Sequence, residues 1–303
     1  MSQDPSSTLL VTGGSGRLGR RVLELLLAHG DHAIIATTRR PDTLAGFPDD
    51  RVEVRQADFE QAPSQLATAF RGADRMLLIS TDAVDRPGRR FEQASRAVEA
   101  AALGGVRHIV YTSLAHPVED SPVLIARDHA KTEQALAASG VGYTALRNNL
   151  YTDFLPMNLS AAIASGRLVA AAGDGRAAYV TREDCAQAAA AALRSDFDGT
   201  RYFEITGPAA VSYAELAALA SELSGTDVAF VPVDTDALIA AMIGSGLPEP
   251  VARLMASFDA GMQGGYFAPV TSAVQELTGR PPMSVRSFLE SHRDALERRS
   301  VTP

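Results

Sequence analysis

No tryptophan, one cysteine and one lysine, Lys131, occur in the 303 residues. The lone thiol, Cys185, cannot close an internal disulfide and cannot alone build a thiolate zinc site, so a disulfide scaffold and a structural zinc module are excluded and a reducing compartment is expected. No histidine pair has the spacing of a zinc-binding helix, and no metal ligand is assigned. The absence of a Gly-x-Ser-x-Gly elbow removes the hydrolase signature. The longest apolar runs, such as 186–193, fall well short of the roughly 20 residues needed to span a bilayer. The short polar opening, 1–7, does not read as an export signal, so a cytoplasmic location is expected. A formal charge of -8 gives no basic face for a phosphate backbone and argues against nucleic acid. With 46% hydrophobic and 21% charged residues, the chain has the composition of a globular protein with a large core.

What is present is an alternation. Short β-rich apolar runs at 8–11, 33–37, 52–56, 76–79, 108–112 and 143–146 are separated by amphipathic segments at 17–28, 64–70, 89–103 and 126–138. Strands apolar on both faces, joined by helical crossovers, predict an α/β fold with a Rossmann-type doubly wound parallel sheet. After Arg147 the pattern turns to Ala-rich helices broken by Gly and Pro, which predicts a smaller, mostly helical C-terminal substrate lobe. The expected boundaries are 1–155 for the nucleotide-binding domain, with a returning segment at about 176–206 whose run 200–205 rejoins the sheet. The small lobe then comprises 156–175 and 207–303. Cys185 falls in a helical run, 183–193, whose alanines mark it as a small core residue.

Directly after the first strand stands Thr12-Gly13-Gly14-Ser15-Gly16-Arg17-Leu18-Gly19, leading into a helix with Val22, Leu23, Leu26 and Leu27 on its apolar side. Gly13, Gly16 and Gly19 have the spacing that allows a tight turn, lets backbone approach a diphosphate and packs helix on strand. Unpaired N–H groups and a positive dipole end favour the same anion, so 13–19 is expected to hold a dinucleotide. The second strand ends at Arg39-Arg40, where an NAD site would carry an acid against the ribose 2′-hydroxyl. Arg39 and Arg40 suit a 2′-phosphate instead, and NADP(H) is the expected cofactor; the rival reading is solvated loop charge. Asp58 and Phe59 offer a carboxylate and an apolar wall to adenine. Ser80 and Thr81 follow the fourth strand, near the diphosphate and ribose.

These strings resemble the NmrA-like atypical short-chain dehydrogenase/reductases, in the pattern of type-two NAD(P)H:quinone oxidoreductases and triphenylmethane reductases. The resemblance spans nearly the whole chain. Besides Thr12 to Gly19 it rests on Arg55-Gln56-Ala57-Asp58, Leu77-Leu78-Ile79-Ser80, Tyr111-Thr112-Ser113-Leu114, His129 with Thr132-Glu133, Arg147-Asn148, Ala171-Ala172-Gly173-Asp174-Gly175 and Val180-Thr181-Arg182. It implies a Rossmann domain, NADP(H), and a small lobe closing over the nicotinamide.

The usual tyrosine-lysine pair of the short-chain dehydrogenases, in which lysine lowers the phenol pKa, is absent, because Arg127 stands four residues before Lys131. Alcohol dehydrogenation is therefore not expected. His129 matches a histidine of the resembled pattern and is the expected proton donor; the alternative is a helix-start histidine bonded to backbone. Ser113, at the end of the fifth strand, is expected to set a hydroxyl against substrate or cofactor, or else to cap a turn. Asn148, Asn149 and Tyr151 follow the sixth strand, toward the nicotinamide. Tyr151, Phe154, Leu155, Met262, Tyr266 and Phe267 are candidate walls of a flat apolar pocket. The expected reaction is hydride transfer from NADPH to a quinone or similar conjugated acceptor, a small aromatic molecule being the partner. The alternatives are a dye or enone reductase of the same fold, or a non-catalytic redox sensor that binds dinucleotide and a protein. A homodimer is left open.

Overall fold

The computed structural model describes residues 7–45, 47 and 50–297; the polar opening, apart from Ser7, lies outside them. Eleven strands and twelve α-helices follow one another along these residues: β1 (Leu9–Val11), α1 (Arg17–Ala28), β2 (Ile34–Thr38), β3 (Val52–Gln56), α2 (Pro63–Phe70), β4 (Arg75–Leu78), α3 (Arg89–Gly104), β5 (His108–Leu114), α4 (Ala126–Ala138), β6 (Gly142–Asn148), α5 (Leu155–Ser165), β7 (Arg167–Ala170), β8 (Arg176–Ala177), α6 (Arg182–Arg194), β9 (Thr200–Ile205), β10 (Val211–Ser212), α7 (Tyr213–Ser224), β11 (Ala229–Pro232), α8 (Thr235–Gly244), α9 (Glu249–Gln263), α10 (Ala273–Thr278), α11 (Val285–Ser291) and α12 (Arg293–Glu297).

Seven strands form one sheet in the order β3-β2-β1-β4-β5-β6-β9. β1 pairs in parallel with β2 and β4, β2 with β3, and β4 with β5. Strand order reverses between β1 and β4, the switch point beyond whose carboxyl ends doubly wound folds bind ligands. Every residue of β1, β2, β4 and β5 is buried, as interior parallel strands require. β3 departs from the expected two-faced apolarity: it is the sheet edge, so Glu53 and Gln56 stay exposed. One face of the sheet carries a core built from Leu10, Ile35, Met76, Leu78, Ile109 and Tyr111, closed by Leu66 and Phe70 of α2 and Ala97 and Ala101 of α3.

Packing divides the chain into two units. The first comprises Met1–Pro117, Asp128–Arg147 and Glu183–Glu204; the second comprises Val118–Arg127, Asn148–Arg182 and Ile205–Pro303. The division falls at Arg147 and Glu183, where the sequence reading put 155 and about 176. The cause is local: the turn Thr152–Phe154 leads directly into α5, and the Thr152 N–H donates to the Val180 carbonyl at 3.0 Å. In the first unit α6 carries the buried Cys185, and Glu183 holds Arg21 of α1 by two hydrogen bonds of 2.7 and 2.9 Å. The second unit adds two small sheets, β11 parallel to β7 and β10 antiparallel to β8. α7 opens on a capping box, Ser212 with Glu215, which satisfies two otherwise orphaned N–H groups. No helix among the described residues is long and apolar enough to cross a membrane.

Candidate functional site

The β1–α1 turn is shaped by close backbone contact. Gly13 takes φ +61°, and a Cβ on Gly19 would lie 2.3 Å from the Gly13 carbonyl oxygen, so neither position suits a side chain. Gly16 caps α1 without any side-chain bond and no acid occupies the first turn. The opening N–H groups thus remain for an anion. Hydroxyls pin the neighbouring strand end: Ile79 N–H donates to Thr12 Oγ1 and Ser80 N–H to Thr112 Oγ1, both at 2.9 Å.

At this turn lies a cavity of about 460 Å³, lined by Gly13, Ser15, Gly16, Thr37, Thr38, Arg39, Ala57, Asp58, Phe59, Ile79, Ser80, Thr81, Asp82, Ala83, Arg89 and Gln93. It runs past the carboxyl ends of β1 to β4 and the start of α3. Eight of the expected cofactor residues meet there: Gly13, Ser15, Gly16, Arg39, Asp58, Phe59, Ser80 and Thr81. Gly14, Arg17, Leu18 and Gly19 shape the turn and the helix behind it without lining the cavity. Arg40 does not line it either: it caps the turn Pro41–Leu44. Thr37, Thr38, Arg89 and Gln93 escaped the sequence reading. The two threonines stood beside Arg39 and were legible from it, whereas α3 reaches the cavity only through the fold.

The fit to a dinucleotide rests on more than shape. Thr81 Oγ1 and Gln93 Oε1 are buried without any hydrogen-bond partner, which is costly unless a ligand supplies one. Ser15 Oγ and Thr38 Oγ1 pair at 2.8 Å on the cavity wall.

His129, expected as the proton donor, is 3% exposed. Its Nε2 lies 3.1 Å from Arg90 Nη2 and its Nδ1 2.8 Å from the Tyr111 hydroxyl. Guanidinium only donates, so Nε2 accepts, and in the neutral ring Nδ1 carries the proton and donates to Tyr111. Burial, then the charge of Arg90, hold the imidazole pKa well below its ordinary 6.5. Arg90 also donates to the Thr81 carbonyl, tying His129 to the cavity wall.

Ser113 is buried and donates to Glu133 Oε1 at 2.7 Å. Arg147 grips Glu133 at 2.7 and 3.1 Å and Glu204 at 3.2 Å. Burial raises the Glu204 pKa, against the pull of Arg147 and of the His116 N–H, which Glu204 accepts. His116 has φ +48°, the only positive value at a non-glycine among the described residues.

The remaining expected residues lie in the second unit. Asn148 donates to the Tyr151 hydroxyl at 3.3 Å and leaves its buried Oδ1 unpartnered. Arg182 sits 5.3 Å over the Tyr151 ring and 5.7 Å over that of Phe154, held by Asp153 at 2.9 Å. Phe154 is 55% exposed and available to a ligand; Tyr266 is half-buried. Leu155 and Met262, 3% and 1% exposed, belong to the core rather than to a pocket wall, and two further expectations are corrected. Phe267 is fully buried against Phe258, and Asn149 spends its amide on the Phe267 carbonyl and the Leu150 N–H, so both are interior braces rather than pocket walls.

Comparison with known proteins follows the same lines. The profile of an NAD(P)H-binding family matches residues 13–196. Quinone oxidoreductase 2 of Escherichia coli is 34% identical over 274 residues, covering 90% of this chain and 94% of that protein. An NAD(P)H azoreductase of Xenophilus azovorans is 28% identical over 94% of this chain and 97% of its own. Among solved structures, the NADPH complex of the Escherichia coli quinone oxidoreductase superposes with a TM-score of 0.88 at 33% identity, covering 94% and 99% of the two chains. Citrobacter triphenylmethane reductase with NADP(H) gives 0.86 at 33% identity, covering 95% and 99%.

Proposed function

The chain belongs to this NAD(P)H-binding family and is an NADP(H)-dependent oxidoreductase; from that premise we propose that it reduces a quinone or a similarly electrophilic conjugated molecule. The observation that carries the reading is the cavity where the β1–α1 turn meets Arg39. In our reading the open N–H groups at the start of α1 hold the diphosphate. Arg39, with no acid beside it, takes the 2′-phosphate by charge-assisted hydrogen bonds. Asp58 and Phe59 flank adenine, while Ser80 and Thr81 face ribose. Bound NADPH supplies a hydride.

The acceptor class follows from which side chains have protons to give. A positioned acid contributes about 10²–10⁴-fold to a reaction that needs one. Here the His129 ring donates inward to Tyr111, and the Ser113 proton is spent on Glu133. Such a site favours an acceptor that takes hydride without prior protonation, and a quinone does so because its reduced form is aromatic. The names of the E. coli and Citrobacter relatives agree with this class. On this reading His129 is a positioning residue that steadies Arg90 and Thr81, and Ser113 offers lone pairs rather than a proton. Phe154 and Tyr151, whose rings Arg182 overlies, are the apolar surface proposed for the acceptor.

The test is NADPH oxidation followed at 340 nm with 1,4-benzoquinone, a cationic triphenylmethane dye and a simple ketone, for the wild type and Arg39→Ala. Quinone turnover without ketone turnover is expected. The variant should need roughly tenfold more NADPH for half-saturation while its use of NADH is unchanged. NADPH binding with no turnover of quinone or dye would overturn the reading.

A further inference from the structure

Gln93 lies one turn into α3, is 7% exposed and lines the cavity with Asp58, Phe59 and Arg89. Its Nε2 donates to Glu60 Oε1 at 2.7 Å, and Glu60 is gripped by Arg89 at 2.8 Å and Arg96 at 2.9 Å. A carboxylate only accepts, so the amide orientation is set: nitrogen toward Glu60, oxygen away from it. Gln93, Arg89 and Arg96 together push the Glu60 pKa down to about 2, so that carboxylate stays an acceptor throughout the working pH range. Oε1 is then a buried acceptor with no donor among the described residues, its amide fixed by a carboxylate that two guanidinium groups hold in place.

The missing partner must be a donor. With a diphosphate at the β1–α1 turn and a 2′-phosphate at Arg39, the base of the cofactor would run toward the end of β3 and the start of α3. On adenine the ring nitrogens N1, N3 and N7 only accept, and the sole donors are the two N–H bonds of the exocyclic amine. We propose that Gln93 Oε1 accepts one of these N–H bonds and makes the site selective for a 6-aminopurine, with Asp58 receiving the other. The role belongs to Gln93 in particular, because Asp58 is only half-buried and already accepts from the Glu60 N–H, whereas the clamped, buried amide oxygen of Gln93 has no other donor. The proposal rests on the cofactor placement above and not on the identity of the acceptor.

The experiment measures binding, with no turnover required. Calorimetric dissociation constants of NADPH and of reduced nicotinamide hypoxanthine dinucleotide phosphate, in which a carbonyl replaces the 6-amino group, are compared for the wild type, Gln93→Leu and Gln93→Met. The wild type should bind the hypoxanthine analogue about tenfold or more weakly. Both variants should lose most of that ratio, chiefly by weaker NADPH binding. A wild-type ratio near one overturns the proposal without recourse to any variant. So does a ratio that persists in the variants, which would assign the donor to a ribose hydroxyl. Failure of the wild type to bind NADPH would overturn this proposal and the cofactor placement together, whereas a failed quinone assay leaves the binding result standing.

Discussion

His129 illustrates how neighbours decide what a side chain does. Its type and its place at the start of α4 were readable in the chain, and both suggested an acid. Its burial was not readable, because the partners that close around it, Tyr111 and Arg90, stand 18 and 39 residues away and arrive only when β5, α3 and α4 pack. The neutral amide in His129→Gln can still accept from Arg90. It should keep kcat with benzoquinone and the KM for NADPH within about threefold, with an unaltered pH profile. A hundredfold loss of kcat at constant KM, the scale of a lost general acid, would return the donor role to His129. Arg39 behaved differently: its role depends on the strand end that carries it, a local property, and the structure sets it in the cavity.

At the scale of elements, the β1–α1 unit was legible nearly residue by residue, since glycine spacing, strand and helix are all local. Gly19→Ala tests how rigid that unit is. A methyl 2.3 Å from the Gly13 carbonyl has only backbone to displace, so the variant should lose about 1–3 kcal/mol in urea denaturation and bind NADPH at least tenfold more weakly. Full retention of both would show that turn and helix can separate freely. The strands and crossover helices of the first unit were equally plain, because buried parallel strands read as short apolar runs. The small pairings were not. β7 and β11 are four residues each and about sixty residues apart in the chain, and nothing local marks them as partners. The buried carboxylate of Asp259, which accepts from the Ala171 N–H at 2.7 Å and the Tyr213 hydroxyl at 2.8 Å, was likewise invisible until α9 and α7 were in place.

For the molecule as a whole, buried histidines set the acid limit of stability. His108 is fully buried, and burial, then Arg75 and Arg201, push its pKa from 6.5 down to about 3. The unfolded chain therefore takes up a proton near pH 6.5 that the folded protein refuses until about pH 3. This contribution is fully present above pH 6.5 and is lost as pH falls below it. Between pH 7.5 and 5.5 His108 should cost about 1.4 kcal/mol, and His129, shifted the same way, adds to the decline. The fall in urea midpoint between the two pH values should shrink in His108→Gln, which can keep the bond to Thr144, leaving the share that His129 contributes; an equal decline in variant and wild type would assign the effect elsewhere.

Each unit is assembled from three separate stretches, and the chain passes between them five times. A fragment ending at 147 would lack α6 and β9, leaving β6 as a bare edge where β9 belongs. No single breakpoint in the gene therefore yields a self-sufficient half. Recombination that exchanges acceptor specificity between relatives must splice at several junctions at once, so diversification in such a scaffold should proceed by point changes and loop edits rather than by shuffling of modules.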